Sequence, residues 1–148
     1  MKTSQAGIDL IHSFEQLRLK AYPDPGSKDG KPWTNGWGST GSDIGPGTVW
    51  TKEKADQRFA SDLSKFEKAV SILVKVPLTQ YQFDALVSFA YNLGVGSLRS
   101  STLLKMLNAG DYHGAGKQLL RWTKNDGVEM DGLVRRRKAE LKMFNGES

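Results

Sequence analysis

Between residues 19 and 49 glycine occupies positions 26, 30, 36, 38, 41, 45 and 47, a density that no helix tolerates. Tyr22-Pro23-Asp24-Pro25-Gly26 adds two prolines, each fixing φ and removing a backbone donor. This region therefore reads as short strands and turns. Directly after it, Thr51 offers an N-cap, and Ala55, Phe59, Leu63, Phe66, Val70 and Leu73 recur at spacings of three or four. That pattern predicts one long helix over about 52–75, ending before Pro77. A small glycine-rich β region feeding a long helix restricts the chain to segregated α+β architectures.

The flanking segments read as helix. Ser4 can cap a first helix whose apolar stripe is Ile8, Ile11, Phe14 and Leu17. Thr79-Gln80-Tyr81-Gln82 fits a capping box ahead of Phe83, Leu86, Val87, Ala90 and Tyr91, with Gly94 as the stop. Ser100 or Ser101 starts a helix through Leu103, Leu104 and Leu107 that Gly110 ends. Asp111 caps a segment with Ala115, Leu119 and Trp122, and Asp131 caps a last one with Leu133, Val134, Leu141 and Phe144. Four short helices after Pro77 predict a compact helical lobe over about 79–145. The chain reads as one domain, 1–148, with a β-containing lobe over about 14–50.

Charge and cysteine content narrow the setting. The 148 residues contain no cysteine, which removes disulfides and thiolate chemistry. No stretch reaches the apolar length of a membrane span, and the N-terminus has no signal-peptide core. We therefore expect synthesis in a cytoplasm and no stable membrane insertion. A formal charge of +5 favours a polyanionic partner. No nucleic-acid-reading motif accompanies it.

The chemistry-bearing residues gather where the first helix gives way to the glycine-rich region. Glycosidic cleavage needs one carboxyl able to donate a proton and usually a second that stays ionised. Glu15, at the apolar end of the first helix, suits the first role, and Asp24, in a turn with backbone donors, suits the second. Thr34 adds a hydroxyl that could orient water, while Tyr22, Trp33 and Trp37 offer flat faces for sugar rings. The plainer alternative makes Glu15 a solvated glutamate and the tryptophans the filling of a small core. His12 and His113 lack ligand partners, so neither a metal nor a cofactor is expected. The glycines lack the P-loop signature.

Phe14-Glu15-Gln16-Leu17-Arg18-Leu19-Lys20-Ala21-Tyr22-Pro23-Asp24 followed by Trp33-Thr34-Asn35-Gly36-Trp37-Gly38 resembles the catalytic segment of the phage-type lysozymes, the endolysins of glycoside hydrolase family 24. The resemblance continues through Phe83–Gly96, Ser100–Leu104, Leu107–Tyr112 and Gly132–Glu140. It implies a two-lobed lysozyme-like fold, in which bending near the long helix opens and closes a cleft. It also implies hydrolysis of the β-1,4 bond between N-acetylmuramic acid and N-acetylglucosamine in peptidoglycan, with inversion. Glu15 then matches the acid, Asp24 the second carboxylate and Thr34 the water-positioning threonine, with Ser88 and Asn92 near the sugar.

Biologically, the resemblance implies a monomer made in the host bacterial cytoplasm and released to the wall through a separate holin-like pore protein, with a virion-associated enzyme as the alternative. Two rivals share these residues: a lytic transglycosylase, which leaves anhydromuramoyl ends, and a noncatalytic peptidoglycan-binding module. Several positions depart from the family pattern. A longer turn after Asp24 makes Asp29 a rival second carboxylate, Asn35 stands where isoleucine is common, and Ser39 where histidine is frequent. Arg135, Arg136 and Arg137 spread over about 200° of a helix, so they cannot share one ligand. Arg136 is spaced to pair with Glu140.

Overall fold

In the computed structural model, residues 1–24 and 31–147 are described; Asp29 and the turn that follows Asp24 lie outside the described residues. The fold is mixed α+β and divides into two compact units, Glu15–Ser64 and Met1–Phe14 with Lys65–Ser148.

The first unit holds a three-stranded antiparallel sheet of β1 (Arg18–Tyr22), β2 (Thr34–Gly36) and β3 (Ser39–Thr40). Its register sets Tyr22 opposite Thr34 and Asn35 opposite Ser39. The outer edge of β1 is covered by the segment before the long helix, where Ala21 N–H donates to Thr48 O at 2.8 Å and Trp50 N–H to Leu19 O at 2.7 Å. That pairing satisfies an edge the sheet would otherwise expose.

Helix α2 (Lys52–Leu73) starts as its cap predicts, with the Thr51 hydroxyl accepting from Lys54 N–H at 3.1 Å. Ala55, Phe59, Leu63 and Val70 form its buried stripe. Polar side chains fasten its first turns to the sheet. Trp37 Nε1 donates to Asp56 at 2.8 Å, Ser39 Oγ to Asp62 at 2.7 Å, and Arg58 bridges Asp62, Asp43 and the Thr40 carbonyl. Ser39, standing where a histidine was the family expectation, thus still meets a carboxylate. Burial lowers the Arg58 pKa, but its two carboxylates outweigh that and raise it overall.

The second unit is helical: α1 (Gln5–Phe14), α3 (Gln80–Leu93), α4 (Val95–Arg99), α5 (Thr102–Asn108), α6 (Tyr112–Gln118) and α7 (Asp131–Phe144). Helix α3 is its centre, buried from Phe83 to Ala90 and packed against α1, α4 and α7. The capping box forms as its sequence predicts, and Gly94 N–H closes the other end on Ala90 O at 2.8 Å. Asp84, fully buried, accepts from the Ser4 hydroxyl, from Ser4 N–H at 3.0 Å and from Gln80 Nε2 at 2.8 Å. The start of α1 is thereby tied to α3.

Two expectations need correcting. Among the described residues beyond Pro77 there are five α-helices rather than four, and a 3-10 turn (Leu119–Arg121) and a hairpin, β4 (Lys124–Asn125) with β5 (Val128–Glu129), lie between α6 and α7. The hairpin turns at Asp126 and Gly127, with φ of 51° and 78°. Asp131 is the first residue of α7 instead of its cap; Met130 holds the cap position, extended because its N–H donates to Thr123 O across the hairpin at 2.8 Å.

Candidate active site

The turn from β2 to β3 brings the backbone of Gly38 against the side chain of Glu15. Gly38 has φ of +87°, which favours glycine, and a Cβ built there would lie 2.6 Å from Glu15 Oε2 and 3.1 Å from its Cδ. The carboxylate of Glu15 therefore occupies space that only a missing side chain leaves open. Glu15 is half-buried.

Cross-strand pairing places Tyr22 beside Thr34. Burial raises the Tyr22 phenol pKa most, and the negative charge of Glu15 raises it further, with a smaller push from Asp24. Arg18, whose guanidinium carbon lies 5.5 Å from the centre of the Tyr22 ring, and the neighbouring Thr34 hydroxyl pull the other way. One phenol thus lies within electrostatic reach of both candidate carboxylates and opposite the candidate hydroxyl. Glu15, Tyr22, Asp24 and Thr34 are brought together within the sheet-bearing unit.

The two tryptophans differ. Trp33, half-buried, precedes Thr34, whereas Trp37 uses its indole N–H on Asp56 and so also braces α2. Asn35, standing where isoleucine is common in the family, is fully buried; its Oδ1 accepts from the Gly36 N–H at 2.8 Å, and its Nδ2 has no hydrogen-bond partner among the described residues.

Ser88 and Asn92 belong to the helical unit, one turn apart on α3. Ser88 is fully buried, and its hydroxyl donates to Glu140 Oε2 at 2.6 Å, so it has no surface to offer a sugar. That corrects the expectation of a saccharide contact. Glu140, also fully buried, accepts from Arg137 Nη2 at 3.0 Å, is ion-paired with Arg137 Nε at 2.7 Å and lies 3.5 Å from Arg136. Arg137 in turn donates from Nη2 to Asn92 Oδ1 at 2.8 Å. Two members of the arginine run are thus interior residues, and Arg137 at i,i+3 is a closer partner of Glu140 than Arg136. Burial pushes the Glu140 carboxyl up and the Arg137 guanidinium down, each opposed by the other's charge.

The arginines also stack, Arg137 5.2 Å from the Phe89 ring centre and Arg136 5.6 Å from that of Phe14. Sequence reasoning missed this network, although Leu133, Arg137, Glu140 and Phe144 share one helical face and signalled that polar residues lie on the core side of α7. Among the described residues no group of three or more His, Asp or Glu is placed to hold a metal, and no helix is long and apolar enough to cross a membrane.

Residues 12–140 match the family model described as phage lysozyme. The chain is 50% identical over 149 residues to the endolysin of Bacillus phage B103, and 38% identical over 148 residues to that of Salmonella phage P22. It spans 56% of the first relative's length and 98% of the second's, covering 100% and 97% of itself; with the Bacillus phage PZA endolysin at 55%, the first relatives are thus only about half spanned. Among solved structures, the muramidase domain of SpmX from Asticaccaulis excentricus superimposes with a TM-score of 0.84 at 38% identity, covering 97% of each chain.

Proposed function

The chain belongs to the phage lysozyme family, and from that premise we propose that it is an endo-acting peptidoglycan hydrolase that cleaves the β-1,4 bond between N-acetylmuramic acid and N-acetylglucosamine. Glu15 gives its proton to the bridging oxygen as the glycosidic C–O bond breaks. Water held by Asp24 and Thr34 attacks the anomeric carbon from the opposite face and yields its proton to Asp24. The configuration inverts, because one displacement occurs. The observation that carries this reading is the seat of the Glu15 carboxylate against Gly38, on the sheet that sets Tyr22 opposite Thr34.

Trp33 and Trp37 contribute aromatic surface for sugar rings, and Asn92 a polar contact. The enzyme serves lysis: made in the host cytoplasm as a monomer, it reaches the wall through a lesion opened by a separate pore protein. Glu15→Gln tests the reaction on purified cell walls. The folded variant should lose nearly all release of reducing ends; undiminished release refutes Glu15 as the acid. Mass analysis of the fragments should find ends carrying the elements of water. Anhydromuramoyl ends as the main product would replace hydrolysis with transglycosylation, and wall binding without new ends would leave a binding module.

A further inference from the structure

Glu140 and Arg137 do more than fill the interior of the helical unit. A guanidinium has five donors and no acceptor, so whatever faces it must turn an acceptor toward it. Arg137 Nη2 meets Asn92 at 2.8 Å, which fixes the side-chain amide with its oxygen inward. Arg137 itself has little freedom: it is fully buried, its Nη2 donates to Glu140 Oε2 at 3.0 Å, its Nε lies 2.7 Å from Oε1 as an ion pair, and its guanidinium stacks on Phe89. Glu140 is held in turn by the Ser88 hydroxyl at 2.6 Å and neighboured by Arg136. The half-buried Asn92 has no partner for its amide nitrogen among the described residues.

We propose that Glu140 and Arg137 are positioning residues that hold the Asn92 amide in one orientation, so that Asn92 offers the substrate N–H donors alone and selects a carbonyl or hydroxyl oxygen of the saccharide. A freely rotating asparagine accepts as readily as it donates. A clamped one rejects a donor and has already lost the rotamer entropy that binding would otherwise cost. Placing Asn92 on the saccharide rests on the hydrolase reading; the clamp itself does not.

The test pairs activity with a readout of the amide. In the wild-type protein the Asn92 side-chain NH2 group should give two well-dispersed 1H–15N resonances, assigned by their loss in Asn92→Ala. Glu140→Gln should collapse that dispersion and raise KM on solubilised peptidoglycan about five- to tenfold, the scale of one hydrogen bond, with kcat little changed. In an Asn92→Ala background Glu140→Gln should add nothing further to KM. Because removing a carboxylate from two buried arginines is costly to folding, Asn92→Asp supplies a second route. It gives Arg137 a carboxylate and removes the outward donor, so it should melt no lower than wild type yet show the same rise in KM.

An unchanged Asn92 spectrum in folded Glu140→Gln, or wild-type KM in Asn92→Asp, overturns the proposal. If wild-type protein releases no reducing ends, the hydrolase reading fails and the amide spectrum alone decides the clamp.

Discussion

Replacing Gly38 with alanine puts a methyl group where the Glu15 carboxylate now lies. The added Cβ would fall 2.6 Å from Glu15 Oε2, and an ordinary contact begins at 3.4 Å, so the carboxylate must retreat by about 0.8 Å. It can do so cheaply, because the far end of a glutamate is flexible. The cost falls on catalysis: a misplacement of about 1 Å lowers turnover roughly a hundredfold, or about 2.7 kcal/mol of barrier. Alanine at positive φ adds backbone strain of about 1–2 kcal/mol.

Gly47 separates the two effects, since it has the same φ of +87° and, among the described residues, nothing within 4 Å of its ideal Cβ. Gly38→Ala and Gly47→Ala should both melt lower, by about 2–4 °C per kcal/mol of strain. Only Gly38→Ala should lose the roughly hundredfold in kcat on purified walls. Equal turnover in the two variants would mean that the position of the Glu15 carboxylate against the β2–β3 turn has no bearing on the reaction.

Other expectations follow from single contacts. The Tyr22 phenol should titrate above its ordinary range, measured as the ultraviolet difference between wild type and Tyr22→Phe, and Glu15→Gln should bring it down. Because the folded phenol binds its proton more tightly than the unfolded one, its stabilising contribution is complete below the ordinary phenol range and disappears as pH rises through the folded value. A Tyr22 titration indifferent to Glu15→Gln would show that the two groups are not neighbours. Asp84→Ala strands the donors of Ser4 and Gln80, and denaturant unfolding should register a loss of about 3 kcal/mol. Thr79→Ala opens the capping box of α3 and should cost about 1 kcal/mol on the same measurement; no change in midpoint would argue that the box is energetically idle.

Periodicity and punctuation were enough for the α+β division, for α2 and for the start of α3, because these depend on neighbours within a few residues. Thr51, Thr79 and Gly94 cap their own helices, and the spacing of Ala55, Phe59, Leu63 and Val70 is itself the buried stripe. Glu15, Asp24 and Thr34 could be singled out by residue type and by resemblance to a family. The β4–β5 hairpin escaped notice because its strands are two residues each, too short for an alternation to appear.

Tertiary structure alone decided which charges go inside. Arg136, Arg137 and Glu140 read as surface residues by type, yet they are buried because each finds its counter-charge or acceptor on α3 or one turn along α7. Likewise, only folding set Gly38 against Glu15 and Tyr22 beside Thr34. A sequence states which groups can donate, accept or carry charge; the free energy of burying them depends on partners that only the folded chain brings within hydrogen-bonding distance.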